Sequence, residues 1–183
     1  MKSRRKNFSR LFAHIPLDGR GGKMDKNKKA MYDKSGPRIA ENLKKRHFEA
    51  YYCSSAKEAA DKVMALIPPE DTVSWGGSMT IKELGLRERI AERGNPVIDR
   101  DKAQSLEERE ELMRRALTCD TFLMSANALS MDGQLVNIDG NGNRVAAMIY
   151  GPRSVIVVAG MNKAASTLKG AWDRARNTAA PIN

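Results

Sequence analysis

From about residue 36 onward, apolar side chains recur in helical and strand-like rhythms that alternate along the chain. Residues 39–46 read as a helix, with Lys44, Lys45 and Arg46 in its last turn, where cations suit the macrodipole. Residues 48–53 read as a strand. Ser55 and Glu58 form a Ser-x-x-Glu capping box. The helix they open carries Ala59, Ala60, Val63, Met64 and Ile67 on one face, and Pro68-Pro69 ends it. Residues 71–75 form a short strand that runs into Gly76-Gly77-Ser78, followed by a helix from Met79 through Leu84 and another near Leu86. A short strand is expected at 96–98. Ser105 and Glu108 repeat the capping box, with Leu112, Met113, Ala116 and Leu117 as the apolar face of the next helix.

The second half continues the alternation. Residues 121–126 read as a strand leading to Asp132-Gly133, a two-residue hairpin signal, with 134–138 returning. Residues 142–150 look helical. The run Ser-Val-Ile-Val-Val-Ala at 154–159 is the clearest buried strand, and its continuous β-branched character suits a parallel sheet covered on both faces. A last helix is expected over 165–177. This order predicts an α/β fold: a three-layer sandwich around a mostly parallel sheet, mixed because of the hairpin. No internal repeat or low-complexity segment is visible.

Composition adds bounds. A chain of 183 residues suits one domain with a sizeable core. No segment has the roughly 18 uninterrupted apolar residues of a membrane span, and no apolar signal core precedes the domain, so a cytoplasmic location is expected. The formal net charge of +10 suggests nucleic acid at first. Its distribution argues otherwise. Residues 1–23 hold Lys2, Arg4, Arg5, Lys6, Arg10, Arg20 and Lys23 against Asp18 alone. Without them the domain, 24–183, is only mildly basic. Residues 1–23 read as a disordered basic leader, or an extension upstream of a start at Met24. Leu11, Phe12 and Ile15 are too few to build a core. A nucleic-acid or membrane-surface arm is the disfavoured alternative. The two cysteines, Cys53 and Cys119, lie in or beside apolar segments and read as buried thiols. With no CxxC or Cys/His cluster, no metal site is expected and no cofactor is evident within the chain.

Three loops carry candidate chemistry. Trp75-Gly76-Gly77-Ser78-Met79-Thr80 joins a strand to a helix. Glycines admit an anion close to the backbone, Ser78 and Thr80 add hydroxyl donors, and Trp75 could add an apolar wall. The pattern is neither a Walker A loop nor a dinucleotide fingerprint. A tight turn with Ser78 as N-cap is the plain alternative. Asn137-Ile138-Asp139-Gly140-Asn141-Gly142-Asn143-Arg144 is the densest polar stretch, with more amides than a turn requires. Arg144 could grip a carboxylate or phosphate, and Asp139 a hydroxyl, water or cation; alternatively the two pair with each other and lock the loop. Gly160-Met161-Asn162-Lys163 follows the strongest strand, placing Lys163 as an electrostatic anchor or as a solvated lysine. His14 and His47 assemble no triad. Glu83 is the best isolated carboxylate for acid/base work, against a plain helix-surface role.

Taken together, residues 75–86, 125–146 and 151–163 resemble the LUD-domain (LutC/YkgG) family of lactate-utilization proteins, over about residues 24 to 183. The resemblance implies a Rossmann-like sandwich akin to the isomerase, deaminase and CoA-transferase superfamily. It implies a role in oxidising L-lactate to pyruvate beside iron–sulfur partner subunits. Superfamily loops hold phosphate or carboxylate, which supports Gly76, Gly77, Ser78 and Thr80 as anion contacts. Asn127, Asp139, Asn143, Arg144 and Lys163 match the family's motif positions. Asn137 and Asn162, within the same segments, join the candidate ligand-binding set. Some relatives continue past the Ala-Ala-Pro-x-Asn segment into a cysteine-bearing tail, whereas this chain stops at Pro181-Ile182-Asn183.

Three functions follow. The chain is a subunit of a lactate-oxidising system binding a small anion through 76–80, 137–144 and 160–163. It is a standalone enzyme on a phosphorylated or CoA-linked molecule, with Glu83 or Asp139 as base. Or it is a non-catalytic regulatory or assembly subunit. Homo-oligomerisation stays open.

Overall fold

The strongest strand in the sequence organises the molecule. Strand β8 (Ser154–Gly160) has every residue after Ser154 buried. Because strand side chains alternate faces, Val155, Val157 and Ala159 enter one apolar cluster while Ile156 and Val158 enter another. A strand that is apolar on both sides demands a layer on each, and the sequence supplies both. The structure, a computed structural model, describes residues 7–14 through their backbone and residues 24–182.

On one face lie α1 (Lys26–Lys45), α5 (Leu106–Ala116) and α6 (Asn143–Ile149), which contribute Ile39, Leu43, Ala116 and Ala147 to the first cluster. On the other lie α2 (Ala56–Leu66), α3 (Met79–Glu83) and α4 (Leu86–Glu92), with Ala59, Val63, Ile81, Leu86 and Ile90. Between them, β1 (Asn7–His14), β2 (Glu49–Cys53), β3 (Val73–Trp75), β4 (Val97–Ile98) and β5 (Thr121–Met124) join β8 in the order β2-β1-β8-β5-β3-β4. Every pairing in this sheet is parallel. The three-layer α/β sandwich with a parallel sheet is therefore the observed fold.

The hairpin signal at Asp132-Gly133 also holds, but its strands form a separate unit. β6 (Ala128–Ser130) pairs antiparallel with β7 (Leu135–Val136) and parallel with β9 (Ala164–Ala165). Helix α7 (Leu168–Arg174) covers this small sheet through Ala171, packed with Ala128 and Val136. The strand expected over 121–126 therefore ends at Met124, Ser125-Ala126-Asn127 turn the chain from one sheet to the other, and β6 is a further strand that the sequence did not announce.

Two expectations need revision. Residues 7–14 fall in the stretch read as a disordered leader, yet they form β1, paired with β2 on one side and β8 on the other. A strand needs no core of its own to join a sheet. Backbone pairing suffices once its neighbours are in place. Residues 1–6 and 15–23 lie outside the described residues. Helix α1 starts at Lys26 rather than 39, running through Gly36 and Pro37. Asp25 caps it by accepting from the Asn27 and Lys28 amides, and Lys29 pairs with Asp33 one turn on. Gly36 persists because the Tyr52 ring lies where a Cβ would sit, and Tyr52 donates its hydroxyl hydrogen to Asp33 Oδ1 at 2.8 Å. Cys53 and Cys119 are both buried free thiols, as expected, and burial pushes their titration up to about 11 and about 12.

The hairpin turn is docked on the end of α1. Asn42 donates to the Met131 carbonyl and Arg46 to the Asp132 carbonyl, both at 2.9 Å. Gly133 has φ +81°, and a Cβ there would come within 2.8 Å of the Asn42 carbonyl carbon. Gly133→Ala therefore combines left-handed strain with a backbone clash, and is expected to cost about 2–4 kcal/mol in denaturant unfolding. Gly94→Ala, with similar φ but open space, should cost only about 1 kcal/mol.

Candidate functional site

Four neighbouring strands of the main sheet, β4, β3, β5 and β8, run parallel, so the loops at their carboxyl ends emerge side by side. This is where open α/β sheets hold ligands. β4 leads into a 3₁₀ turn, Arg100–Lys102; β3 into Gly76-Gly77-Ser78; β5 into Ser125-Ala126-Asn127; β8 into a second 3₁₀ turn, Met161–Lys163. The 137–144 segment closes the array from the small sheet. Together they wall a cleft of about 480 Å³ lined by Gly77, Ser78, Arg100, Ser125, Asn127, Asp139, Asn143, Arg144, Lys163 and Arg174, with Ala179 and Ile182 at its margin.

Arg144 is the most heavily bonded side chain in this array. Nη1 donates to the Ser125 carbonyl at 2.7 Å and to Asn137 Oδ1 at 2.9 Å; Nη2 donates to Asn127 Oδ1 and the Ile138 carbonyl, both at 2.8 Å. Its Nε lies 3.9 Å from Asp139 Oδ2. The donors of this fork are thus taken up by the two loops it joins. Asp139 Oδ2 in turn accepts from the Val145 amide, tying the loop to the first turn of α6. The alternative in which Asp139 and Arg144 lock the loop together is the arrangement observed. Asn127, only 6% exposed, is bound from three sides: its Oδ1 accepts from Arg144 and the Ile138 amide, and its carbonyl accepts from Arg174.

The other expected residues divide. Gly77, Ser78 and Asn143 line the cleft. Ser78 also caps α3, its Oγ accepting from the Ile81 amide at 3.3 Å. Gly76 continues the sheet, donating to the Leu123 carbonyl, and a Cβ there would press on Arg144 Cδ at 3.3 Å. Thr80 is buried beneath the cleft and receives a hydrogen bond from Lys163. Asn162 is exposed, and its carbonyl accepts from Arg174. Glu83 is exposed on α3 outside the cleft and acts on Lys163 only through its charge. Trp75 is turned into the core, 5.2 Å from the Arg87 guanidinium, and forms no wall.

Lys163 sits at the centre. Nζ donates to Ser125 Oγ at 2.7 Å and Thr80 Oγ1 at 3.1 Å. Among the described residues no carboxylate pairs with it. Burial lowers its titration to about 8, and the nearby Arg174 and Arg144 charges push the same way, against the weaker pull of Glu83.

Sequence reasoning missed Arg100 and Arg174. Arg100 was legible in principle, since it follows the short strand expected at 96–98 and parallel strands present ligand groups at that end. Arg174, on α7, carries no local signal. Arg100 has donors to spare. Its Nε is buried without a hydrogen-bond partner among the described residues, Nη1 meets only the Met113 sulfur at 3.4 Å, and Nη2 lies 2.9 Å from where a Cβ on Gly77 would stand. Asp101 lies 3.9 Å from that Nε but is engaged more closely by Arg87 and Arg109. Among the described residues no group of His, Cys, Asp and Glu could hold a metal ion, and no helix is long and apolar enough to cross a membrane.

The family model of the LUD domain matches residues 37–183. The chain belongs to the LUD-domain family. That span takes in β3, β4, β5 and β8 and every cleft residue named above, while β1 and the first turns of α1 precede it. The LUD domain is associated with lactate-utilization proteins. No curated protein and no solved structure matches the chain.

The Arg144 contacts make a further expectation. Arg144→Ala strands two backbone carbonyls and two amide oxygens in a half-buried loop junction, and should cost roughly 3–5 kcal/mol in chemical unfolding. Arg144→Lys, a point charge in place of a fork, should recover less than half of that loss.

Proposed function

We propose that this LUD-domain protein binds a small carboxylate- or phosphate-bearing ligand in the cleft and serves as a subunit of a system that oxidises L-lactate to pyruvate. The observation that carries the reading is the charge balance. Arg100, Arg144, Lys163 and Arg174 line the cleft against Asp139 alone, and Asp139 is engaged with Arg144 and the Val145 amide. Cations held in a partly desolvated cleft without matching carboxylates favour an anionic guest.

Arg144 and Arg174 are engaged by the loops they join, whereas Arg100 and Lys163 face the guest. Arg100 presents under-used donors beside Gly77, whose missing side chain lets a ligand oxygen reach both the guanidinium and the loop backbone. Ser78 and Asn143 add polar contacts. Iron–sulfur chemistry would reside in partner subunits. The second reading, a standalone enzyme on a phosphorylated small molecule, draws on the meeting of Ser78, Arg100, Asp139 and Lys163 in one cleft. In that reading Asp139 is the better placed of the two candidate bases, since Glu83 lies outside.

Thermal shift and calorimetry against L-lactate, pyruvate and inorganic phosphate test the proposal. At least one anion should stabilise the protein, and Arg100→Ala should weaken that binding about tenfold or more while leaving the fold intact. If no anion binds, the reading fails. The pH dependence has a definite sign. Protonated Lys163 strengthens anion binding that Arg100 alone can sustain, so affinity should be flat below about 8 and weaken above it. The free protein behaves oppositely. The cost of burying charged Lys163 is fully present below about 8 and is relieved as pH rises towards its ordinary value of 10.5, so this group adds stability over that window.

A further inference from the structure

The neighbours of Lys163 are unusual for a residue whose only task is to hold an anion. Nζ contacts two hydroxyls, Ser125 Oγ at 2.7 Å and Thr80 Oγ1 at 3.1 Å, and pairs with no carboxylate among the described residues. The charged groups acting on it are Arg174 and Arg144, of like sign, and Glu83, which is exposed outside the cleft. A primary amine that is desolvated beside other cations, yet opens into a ligand cleft, is an activated nucleophile for carbonyl carbon. The same cleft holds Arg100 with spare donors, so one small molecule can present a carboxylate to the guanidinium and a carbonyl to the amine.

We propose that Lys163 forms an imine with the carbonyl carbon of a small oxo acid whose carboxylate is held by the cationic wall, a step that rests on the anion-binding reading above. The neutral amine adds to the carbonyl carbon, forming the C–N bond, and the carbonyl oxygen takes up a proton. Loss of that oxygen as water, with a proton from nitrogen, leaves the C=N bond, so atoms balance without any oxidant or reductant. Ser125 Oγ is placed to accept the first proton from nitrogen and return one to the departing oxygen. Thr80, fixed on α3, sets the direction of the amine.

The test uses the full chain with pyruvate as probe and sodium cyanoborohydride as trap. Hydride delivered to the imine carbon converts the link into a stable secondary amine, which intact mass and peptide mapping locate. One adduct on the peptide carrying Lys163 is expected, forming faster at about pH 8 than at about pH 6, because more of the amine is neutral. L-Lactate, which has the carboxylate but no carbonyl, should compete without being trapped. Lys163→Arg keeps the charge and should lower trapping by more than about tenfold. Pyruvate binding is followed by thermal shift in the same samples. Binding without trapping, or trapping spread over other lysines, overturns the imine and leaves the anion site standing. Neither binding nor trapping overturns both.

Discussion

The guanidinium of Arg144 joins the two halves of the molecule. The main sheet releases the chain at Ser125, the small sheet releases it at Asn137, and this one side chain donates to carbonyl and amide oxygens of both loops. A planar fork of fixed geometry can satisfy several acceptors at defined angles, which a flexible ammonium cannot. Asp139 then ties the same loop to α6, and Arg174 ties the Asn127 carbonyl to α7. The cleft has its shape because these polar side chains are committed to one another. That commitment leaves Arg100 and Lys163 as the cations with capacity for a guest.

Main-sheet topology explains why they converge. Parallel strands send their carboxyl ends in one direction, so the residues that follow β4, β3, β5 and β8 meet although they are far apart in the chain. The apolar alternation along β8 fixes the two helical layers and leaves that edge open for polar groups. The same reasoning ranks the carboxylates. Glu83 follows the strand-to-helix loop by a turn too many, is exposed and does not line the cleft, whereas Asp139 lies in the closing loop.

Much of this was legible in the sequence because it rests on local rules. Ser55 and Ser105 cap their helices as read, while Glu58 and Glu108 accept from the Ser54 and Gln104 amides, one residue before the caps. The β-branched run at 154–159 is central and buried, and Asp132-Gly133 makes its hairpin. The long α1 was not legible, because Gly36 and Pro37 are poor helix formers and the Tyr52 ring that lies against the glycine comes from a distant strand. Strand β1 was not legible either, since its pairing depends on strands distant in sequence. Asn137–Arg144 stood out by composition, but composition does not reveal whether a polar group faces inward or outward. Arg144 faces inward, and its importance is architectural as well as electrostatic. Arg100 and Arg174 reach the cleft by tertiary placement alone.

That the cleft walls come from Gly77, Arg100, Ser125, Asp139, Lys163 and Arg174 has a consequence for how the molecule is made. Their proximity depends on non-local parallel pairings such as Val73 with Thr121 and Thr121 with Ser154, the kind that form slowly because loop-closure entropy must be overcome first. Arg100, Lys163 and Arg174 carry like charges, so bringing them into one cleft has an electrostatic cost that the extended chain does not bear. On the anion-binding proposal, a ligand seated between them would offset that cost and stabilise the assembled wall as well as occupy it.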